Sequence, residues 1–407
     1  MLSRRRFLVG GLSLATAALV AACESAIRSL TPAPSSMLPS PSATSPPSAT
    51  PEPSPTPVEM TLRQKIGQML LVGFRGLTIE DAEPTRALIA SGELGGVLLF
   101  SVDQPTGGPR NIESPEQLQA LVSGLAAAAP SNVLLLVATD QEGGEVARLS
   151  PTHGFPATPS AAEMGAGDPA MTSQTARQMA QTLASAGVTL NLAPVVDLAI
   201  NPDNPIIAAL DRSFSADPDV VISHATAFIE GMHGIGIRCS GKHFPGQGSA
   251  TGDTHLGVVD VTEVWTQQEL EPFAALSQSG AADAILTAHI FNATLDPEHP
   301  ATLSRPTVTG ILREQLGFDR VVISDDLQMG AITDAYGYEE AVALAIEAGI
   351  DVLLIANQIV YEADVVERTL DIVEGLVGSG RIDEARIQAS VDRILRLKNE
   401  IATPSPG

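Results

Sequence analysis

Eight short apolar runs with strand character recur along the chain, and the segments between them are long enough for a helix. Buried parallel strands give continuous apolar runs, because helices cover one face of the sheet and side chains fill the other. Eight strand–helix repeats in one domain favour a (β/α)8 barrel, the TIM barrel of the α/β class, over an open sheet. The predicted strands cover residues 69–74, 96–100, 132–139, 187–192, 236–241, 284–289, 320–324 and 351–355.

Several of the intervening segments begin with an Asp or Ser followed by Pro, which is a helix start signal. The Asp or Ser side chain can cap the first turn, and Pro suits the first helical position. The predicted helices cover residues 115–129, 169–186, 218–233, 266–279, 305–316 and 338–348, with a closing helix at 391–401. We therefore expect one catalytic-size domain over residues 58–401 and a short tail over 402–407.

The first 23 residues resemble an export signal. Paired arginines at Arg4 to Arg6 precede a short apolar run that ends in Val20-Ala21-Ala22-Cys23. This ending resembles the lipobox of bacterial lipoproteins, which implies twin-arginine export and lipidation of Cys23. The expected location is the outer face of the cell membrane, with the lipid as anchor. An ordinary signal peptide with an incidental cysteine, or a membrane-anchoring helix, remains open.

Residues 24–57 are predicted to be a disordered linker. From about Thr31 to Pro57 the composition shifts to Pro, Ser, Thr and Ala, which cannot bury enough apolar surface to offset the entropy of ordering. Such a tether would let the folded domain stand off from a membrane. Cys239, the other cysteine, is expected to lie in the core rather than in a disulfide.

The charge of the chain bears on its partners. Acidic residues outnumber basic ones 47 to 23, which gives a formal net charge of -24. A surface with this balance repels a phosphate backbone, so nucleic acid is not an expected partner.

Polar side chains follow five of the predicted strands at the point where each strand ends. In a parallel barrel the catalytic groups belong at these ends, because the following loops form the open face. Costly charged groups gathered there indicate a functional site. The residues are Asp140, Asp197, Lys242, His243, His289, Asp325 and Asp326.

Four ordered motifs lie in these same loops, and a lone one would be a weak signal. They are TDQEGGEVARL (139–149), RSFSADP (212–218), KHFPGQGSATGDTH (242–255) and VVISDDLQM (321–329). Together with ATLSRP (301–306) and the closing helix, they resemble glycoside hydrolase family 3, specifically its bacterial single-domain β-N-acetylglucosaminidases, also called β-N-acetylhexosaminidases. The resemblance spans nearly everything after the linker.

The resemblance implies the catalytic roles. Asp325, the first acid of SDDL, would be the nucleophile on the anomeric carbon. His255 would protonate the leaving oxygen and then deprotonate water, while Asp253, two residues earlier, would orient the ring and stabilise its charged form. Without the motif, Asp325 could equally be a helix cap or an ion-pair carboxylate, and Asp253 with His255 a surface turn.

The resemblance also implies sugar-binding residues. Lys242 and His243 would hydrogen-bond hydroxyls, Asp140 would grip hydroxyls distant from the reacting carbon, and Arg148 and Arg212 would line the same pocket. For the two arginines, a structural role as loop-anchoring ion pairs remains open. One departure concerns substrate detail, because the chain has Gln247 where relatives often have the second histidine of KHFPGHG.

The expected function is a retaining exo-enzyme that removes terminal β-linked N-acetylglucosamine from peptidoglycan fragments or chitooligosaccharides. We expect a monomer that needs no cofactor or metal. Three alternatives stay open: a β-glucosidase-like enzyme or phosphorylase of the same fold, an inactive saccharide-binding lipoprotein, and a zinc hydrolase that uses His243 and His255. The last lacks an H-E-x-x-H motif.

Overall fold

A ring of eight short parallel strands forms the centre of the computed structural model, which describes residues 60–254 and 256–403. The strands are β1 Leu70–Gly73, β2 Gly96–Leu98, β3 Leu136–Thr139, β4 Leu190–Asn191, β5 Arg238–Phe244, β6 Ala284–Thr287, β7 Val321–Ile323 and β8 Leu353–Ile355. Each lies within or overlaps one of the eight predicted runs. The predicted signal segment 1–23 with Cys23, the linker 24–57 and His255 lie outside the described residues.

Neighbouring strands pair in chain order from β1 to β7, and β8 pairs with β1. The ring closes between β7 and β8, where Ile323 forms a parallel bridge with Val352. The Ser324 N–H also donates to the Val352 carbonyl at 2.9 Å. The prediction of a (β/α)8 barrel is confirmed.

Helices surround the barrel. The α-helices are α1 Leu62–Gln68, α2 Glu83–Ala90, α3 Pro115–Ala128, α4 Ala161–Gly165, α5 Pro169–Ser185, α6 Pro218–His233, α7 Glu271–Ser279, α8 Gly330–Tyr336, α9 Tyr338–Ala348, α10 Val365–Gly378 and α11 Glu384–Ala402. Asp168 and Asp217 cap α5 and α6 through their side chains, as their sequence positions predict.

Two predicted helices differ in detail from the structure. The segment 266–279 divides into a 3-10 turn, Gln267–Leu270, followed by α7. The segment 305–316 is a π-helix over Pro306–Gln315. Across the described ranges, no helix is both long and apolar enough to cross a bilayer.

The core fills the barrel and the space between barrel and helices. Cys239 is fully buried in β5, as expected of a core residue. At the N-terminal end of the barrel, Lys398 of α11 is also buried, with 2% exposure. Its Nζ donates to Gln68 Oε1 at 2.7 Å and to the Gly95 carbonyl at 2.8 Å. Both acceptors are uncharged, so burial lowers the pKa of Lys398 to about 7.

We predict that Lys398→Met changes how stability depends on pH. Between about pH 7 and 10.5 the unfolded chain holds the Lys398 proton and the folded protein does not, so rising pH favours folding. The stability of the wild type relative to the variant should therefore rise across this range, by up to about 1.4 kcal/mol per pH unit. Urea denaturation at several pH values measures the difference, and parallel curves would contradict the pKa shift.

Candidate active site

A cavity of about 410 Å³ opens at the C-terminal ends of the barrel strands. Its wall brings together predicted site residues from the end of β5 and from the loops after β3, β4, β5 and β7. They are Asp140, Arg148, Arg212, Lys242, His243, Asp253 and Asp325. His255 is the remaining predicted site residue, and it is outside the described part of the chain.

A larger hollow of about 670 Å³ lies at the other end of the barrel. Arg238 and Arg320 in its wall pair with Asp283, and Arg320 also pairs with Glu400. Its charges thus neutralise one another and hold α11 to the barrel. The smaller cavity is the candidate active site, because it lies where the loops of a parallel barrel form the open face.

A cluster of four charged side chains forms one wall of the site. Lys242 Nζ, at the end of β5, lies 2.7 Å from Asp140 Oδ1 and 2.7 Å from Glu142 Oε1. Arg212 donates to the same Glu142 carboxylate through Nε at 2.7 Å and through Nη2 at 2.8 Å. Two cations and two anions therefore compensate one another in a site that is largely closed to water.

The charges of this cluster control the protonation of its members. Burial alone would raise the pKa of Asp140, but Lys242 and Arg148 hold it below its ordinary value. The pKa of Glu142 is lowered to about 2 in the same way, by Arg212 and Lys242 acting against burial. Burial acts to lower the pKa of Lys242, but the two carboxylates outweigh it and raise the pKa above its ordinary value. All three groups are thus charged at neutral pH and can bind hydroxyls through charge-assisted hydrogen bonds.

Glu142 was not among the predicted site residues. It follows Asp140 by two positions, and residues two apart in an extended chain point to the same side. It lies in the short antiparallel strand Gln141–Gly143, directly after β3. The sequence signal for Glu142 was therefore its spacing of two residues from Asp140 within the motif TDQEGG.

The two arginines are held differently. Arg148 reaches Asp140 Oδ2 with Nη2 at 3.3 Å, and its buried Nε has no hydrogen-bond partner among the described residues. Arg212 makes the two bonds to Glu142 and a third from Nη1 to the Ile206 carbonyl at 2.7 Å. Arg212 thus anchors loops, which is the structural role that the sequence left open. Its side chain also lines the cavity. Arg148 keeps a donor for a ligand.

Asp197, after β4, orients His243. The His243 Nδ1 lies 2.6 Å from Asp197 Oδ2, and because an ionised carboxylate only accepts, Nδ1 carries the proton of this contact. The His243 backbone N–H donates to the same oxygen at 3.2 Å. The ring is therefore held with Nε2 on the side of Arg212, whose Nη2 is 3.4 Å away.

Buried carboxyl groups also hold the start of the loop after β5, which leads to Asp253. The Gln247 N–H donates to Asp197 Oδ1 at 2.8 Å, and the Ser249 N–H donates to Glu269 Oε2 at 3.2 Å. Ser249 Oγ donates to Glu269 Oε1 at 2.6 Å. A Cβ added at Gly246 would lie 2.6 Å from the Glu269 Cβ, so the loop passes directly over this carboxyl group.

Two neighbouring acids at the end of β7 serve different structural purposes. Asp325 lines the cavity, and its Oδ1 accepts from the Asp326 N–H at 2.8 Å. Asp326 Oδ1 accepts from the Gln328 N–H at 3.1 Å and from the Ala356 N–H at 2.9 Å. Asp326 therefore ties the loop after β7 to the end of β8, beside Asp325.

His289, at the end of β6, is an interior histidine. It is fully buried, and its Nε2 lies 2.9 Å from the Asp326 carbonyl, while its Nδ1 lies 2.9 Å from Thr302 Oγ1. Nε2 thus supports the loop that carries Asp325, and Nδ1 holds the ring to Thr302. Within residues 60–254 and 256–403, no group of three or more His, Cys, Asp or Glu side chains is arranged to hold a metal ion.

Known proteins resemble this chain in sequence and in fold. The family model of the glycosyl hydrolase family 3 N-terminal domain matches residues 61–397. A β-hexosaminidase of Tolumonas auensis is 37% identical over 296 residues, which cover 71% of this chain and 82% of that protein.

Two solved structures extend the likeness. A glycoside hydrolase family 3 β-N-acetylglucosaminidase from Paenibacillus sp. superposes with a TM-score of 0.77 at 34% identity, covering 86% of this chain and 64% of that one. A β-N-acetylhexosaminidase from Beutenbergia cavernae gives a TM-score of 0.74 at 33% identity, covering 84% of this chain and 99% of that one. The fold and the site thus define the class of protein, which is a sugar hydrolase built on a (β/α)8 barrel. The chain belongs to glycosyl hydrolase family 3 and is a glycoside hydrolase.

We predict that Glu269→Gln removes one pH dependence of stability. Burial is the main reason that the pKa of Glu269 is raised to about 7. Between about pH 4.5 and 7 the folded protein holds this proton and the unfolded chain does not, so rising pH favours unfolding. The free energy of unfolding of the wild type should therefore fall relative to that of the variant, by up to about 1.4 kcal/mol per pH unit over this range.

Chemical denaturation from pH 4.5 to 8 checks the Glu269 prediction. Glu271→Gln, at an exposed position on the adjoining helix, removes a carboxyl group without disturbing the loop and serves as the matched control. A constant difference between wild type and Glu269→Gln would contradict the assignment of a buried, protonated carboxyl group under the loop.

Proposed function

We propose that this protein is a retaining exo-β-N-acetylglucosaminidase that releases terminal β-linked N-acetylglucosamine. The observation that carries the proposal is the shared cavity, whose wall includes Asp325, Asp253 and the charged cluster around Lys242. The names of the Tolumonas and Paenibacillus relatives support the choice of sugar. The alternatives of a β-glucosidase-like enzyme, a phosphorylase or a binding protein are outcomes of the tests below.

The proposed reaction has two steps. Asp325 attacks the anomeric carbon and forms a glycosyl ester, while His255 gives a proton to the oxygen of the leaving group. His255 then takes a proton from water, whose oxygen attacks the same carbon and releases Asp325. Asp253 lines the cavity two residues before His255, where its charge can stabilise the protonated ring. Each step inverts the configuration of the anomeric carbon, so the released sugar has the configuration of the substrate.

The charged cluster gives binding energy away from the reacting carbon. Asp140 and Lys242 hold each other at 2.7 Å, so their geometry exists before substrate arrives. Preorganised donors and acceptors of this kind bind several hydroxyls of a terminal sugar and align its scissile bond. A cavity closed by such a wall suits an enzyme that acts on chain ends, which supports the exo mode.

We predict that 5-fluoro-N-acetylglucosaminyl fluoride labels Asp325. The 5-fluoro substituent slows both formation and breakdown of the glycosyl ester, but the good fluoride leaving group speeds formation alone, so the intermediate should accumulate. Peptide mass mapping should find one added sugar on the peptide that contains Asp325, and Asp325→Asn should take no label. Release of the 5-fluoro sugar without any label, or label on Asp253, would contradict Asp325 as nucleophile.

Product analysis separates the related activities. With an aryl β-N-acetylglucosaminide in the presence of phosphate, we expect free N-acetylglucosamine rather than its 1-phosphate. Accumulation of the phosphate ester would identify a phosphorylase. Binding of the sugar with neither label nor product would identify a binding protein, and faster cleavage of the corresponding glucoside would identify a β-glucosidase-like enzyme.

The proposed setting is the outer face of the cell membrane. The segment 1–23 with Cys23 and the linker 24–57 would export, anchor and extend the domain toward the cell wall, where peptidoglycan fragments supply the substrate. The proposal takes the folded domain to act as a monomer on these fragments or on chitooligosaccharides.

We predict that Cys23→Ser releases the protein from the membrane. Lipidation needs the thiol, so the variant should move from the membrane pellet to the soluble extracytoplasmic fraction, with unchanged activity per molecule. Cys239→Ser, which leaves the proposed lipidation site intact, is the control and should stay in the membrane fraction. A Cys23→Ser protein that remains in the pellet would contradict lipid anchoring.

A further inference from the structure

Glu142, in the short strand after β3, lies between the two cations of the charged cluster. Its Oε1 lies 2.7 Å from Lys242 Nζ and accepts from Arg212 Nη2 at 2.8 Å, while its Oε2 accepts from Arg212 Nε at 2.7 Å. One carboxylate therefore contacts both cations, although Lys242 comes from β5 and Arg212 from the loop after β4. Two buried like charges repel each other, and a shared anion offsets this repulsion.

The two carboxylates of the cluster differ in their access to a ligand. The Asp140 side chain is 15% exposed, whereas the Glu142 side chain is 3% exposed and both of its oxygens contact cations. Asp140 can therefore accept from a sugar hydroxyl while it also binds Lys242. Glu142 is placed to act on a substrate only through the two cations that it holds.

The segment that carries Glu142 is itself fixed to the barrel. The Gln141 N–H donates to Asn191 Oδ1 at 3.0 Å, and Asn191 Nδ2 donates to the Gln141 carbonyl at 3.0 Å. The Gln141 side chain makes a second pair of bonds with the Leu149 backbone, at 3.0 and 3.1 Å. Because Asn191 is the last residue of β4, these bonds tie Glu142 to a strand of the barrel. A carboxylate held in this way can keep its partners in place.

Lys242 depends on two carboxylates for its position. Its Nζ lies 2.7 Å from Asp140 Oδ1 and 2.7 Å from Glu142 Oε1. An ammonium group has three N–H donors, so two such contacts leave at least one donor for a ligand. With Glu142 removed, Nζ would be held on the Asp140 side alone and could move with that side chain. A donor that must first be ordered binds more weakly than one already in place.

Glu142 also balances the charge around Lys242. Burial and Arg212 act to lower the pKa of Lys242, while Asp140 and Glu142 act to raise it. Asp140 is shared with Arg148, whose Nη2 lies 3.3 Å from its Oδ2. Loss of the Glu142 charge would leave one shared carboxylate for these cations, so the Lys242 proton should leave at a lower pH. The other titratable groups of the cavity wall are His243, Asp253, Asp325 and Asp326.

We propose that Glu142 is a positioning residue of the sugar-binding wall, which holds Lys242 and Arg212 in place for the terminal sugar and keeps Lys242 charged. This inference rests on the proposed function, in which Lys242 and Asp140 bind sugar hydroxyls. It adds a residue that acts on the sugar through its neighbours and not by contact.

Three variants separate position from charge. Glu142→Gln keeps the size of the side chain, but either orientation of its amide directs an NH2 group at a cation that needs an acceptor. Glu142→Asp keeps the charge and shortens the reach by one methylene group. Glu145→Gln removes the same charge from an exposed position three residues further along the chain and is the matched control.

The measurement is the dissociation constant of N-acetylglucosamine, determined by calorimetry between pH 6 and 10. Each constant is divided by that of the wild type at the same pH, which cancels the titration of groups that all the proteins share. A misfolded fraction lowers the amount of sugar bound but leaves the dissociation constant of the folded fraction unchanged. The ratio therefore reports on the binding wall and not on the stability of the fold.

We expect Glu142→Gln to raise the dissociation constant about 10-fold at pH 7, the loss that one hydrogen bond to a charged group gives. Its ratio to the wild type should rise further between about pH 8 and 10, because Lys242 of the variant loses its proton there. Glu142→Asp should also raise the constant, but by a factor that does not change with pH. Glu145→Gln should bind like the wild type at every pH.

The same measurements distinguish a failure of the inference from a failure of the proposed function. A wild type that neither binds N-acetylglucosamine nor cleaves its aryl glycoside would overturn both. A wild type that binds and cleaves, together with Glu142 variants that bind equally well, would overturn only the role of Glu142. An equal loss in Glu142→Gln and Glu145→Gln would assign the effect to net charge and would likewise overturn the positioning role. A loss in Glu142→Gln that is constant with pH would overturn its part in keeping Lys242 charged.

Discussion

The ion pairs around Lys242 connect otherwise separate parts of the site. Lys242 comes from β5, Asp140 and Glu142 follow β3, and Arg212 follows β4, yet each of these charged groups lies within 2.8 Å of an oppositely charged partner. No member could be buried alone, because an isolated charge pays a large desolvation cost. The cluster is stable only when the barrel closes and brings the three strand ends together, so site geometry and fold depend on each other.

A second constraint is the way buried carboxyl groups hold the loop that leads from β5 to Asp253. Asp197 binds both the His243 ring and the Gln247 backbone N–H, and Glu269 binds Ser249. These contacts fix the beginning of the loop, whereas exposed apolar residues such as Leu256 and Val258 lie further along it. The beginning of the loop therefore shares the rigidity of the barrel.

Much of the fold could be predicted because apolar runs report burial directly. The predicted strand 132–139 contains the observed strand Leu136–Thr139, but the boundary differs, since pairing with neighbouring strands and not apolarity decides where a strand begins. Helix Val365–Gly378 is absent from the predicted set although its apolar residues recur with helical spacing. In the site, the sequence did not predict Glu142 as a site residue or the contact between Asp197 and His243. The partner of a carboxylate is decided by the fold and cannot be identified in a linear sequence.

The sequence alone determined the barrel, the family and the set of polar residues at the strand ends, because strand periodicity and ordered motifs are local properties of the chain. Only the tertiary structure decided that Arg212 is bound to Glu142 and that His289 is an interior residue. Each of these facts depends on atoms that are distant in sequence and meet only when the ring of eight strands closes. A hydrogen bond exists only between groups at bonding distance, and that distance is a property of the folded chain.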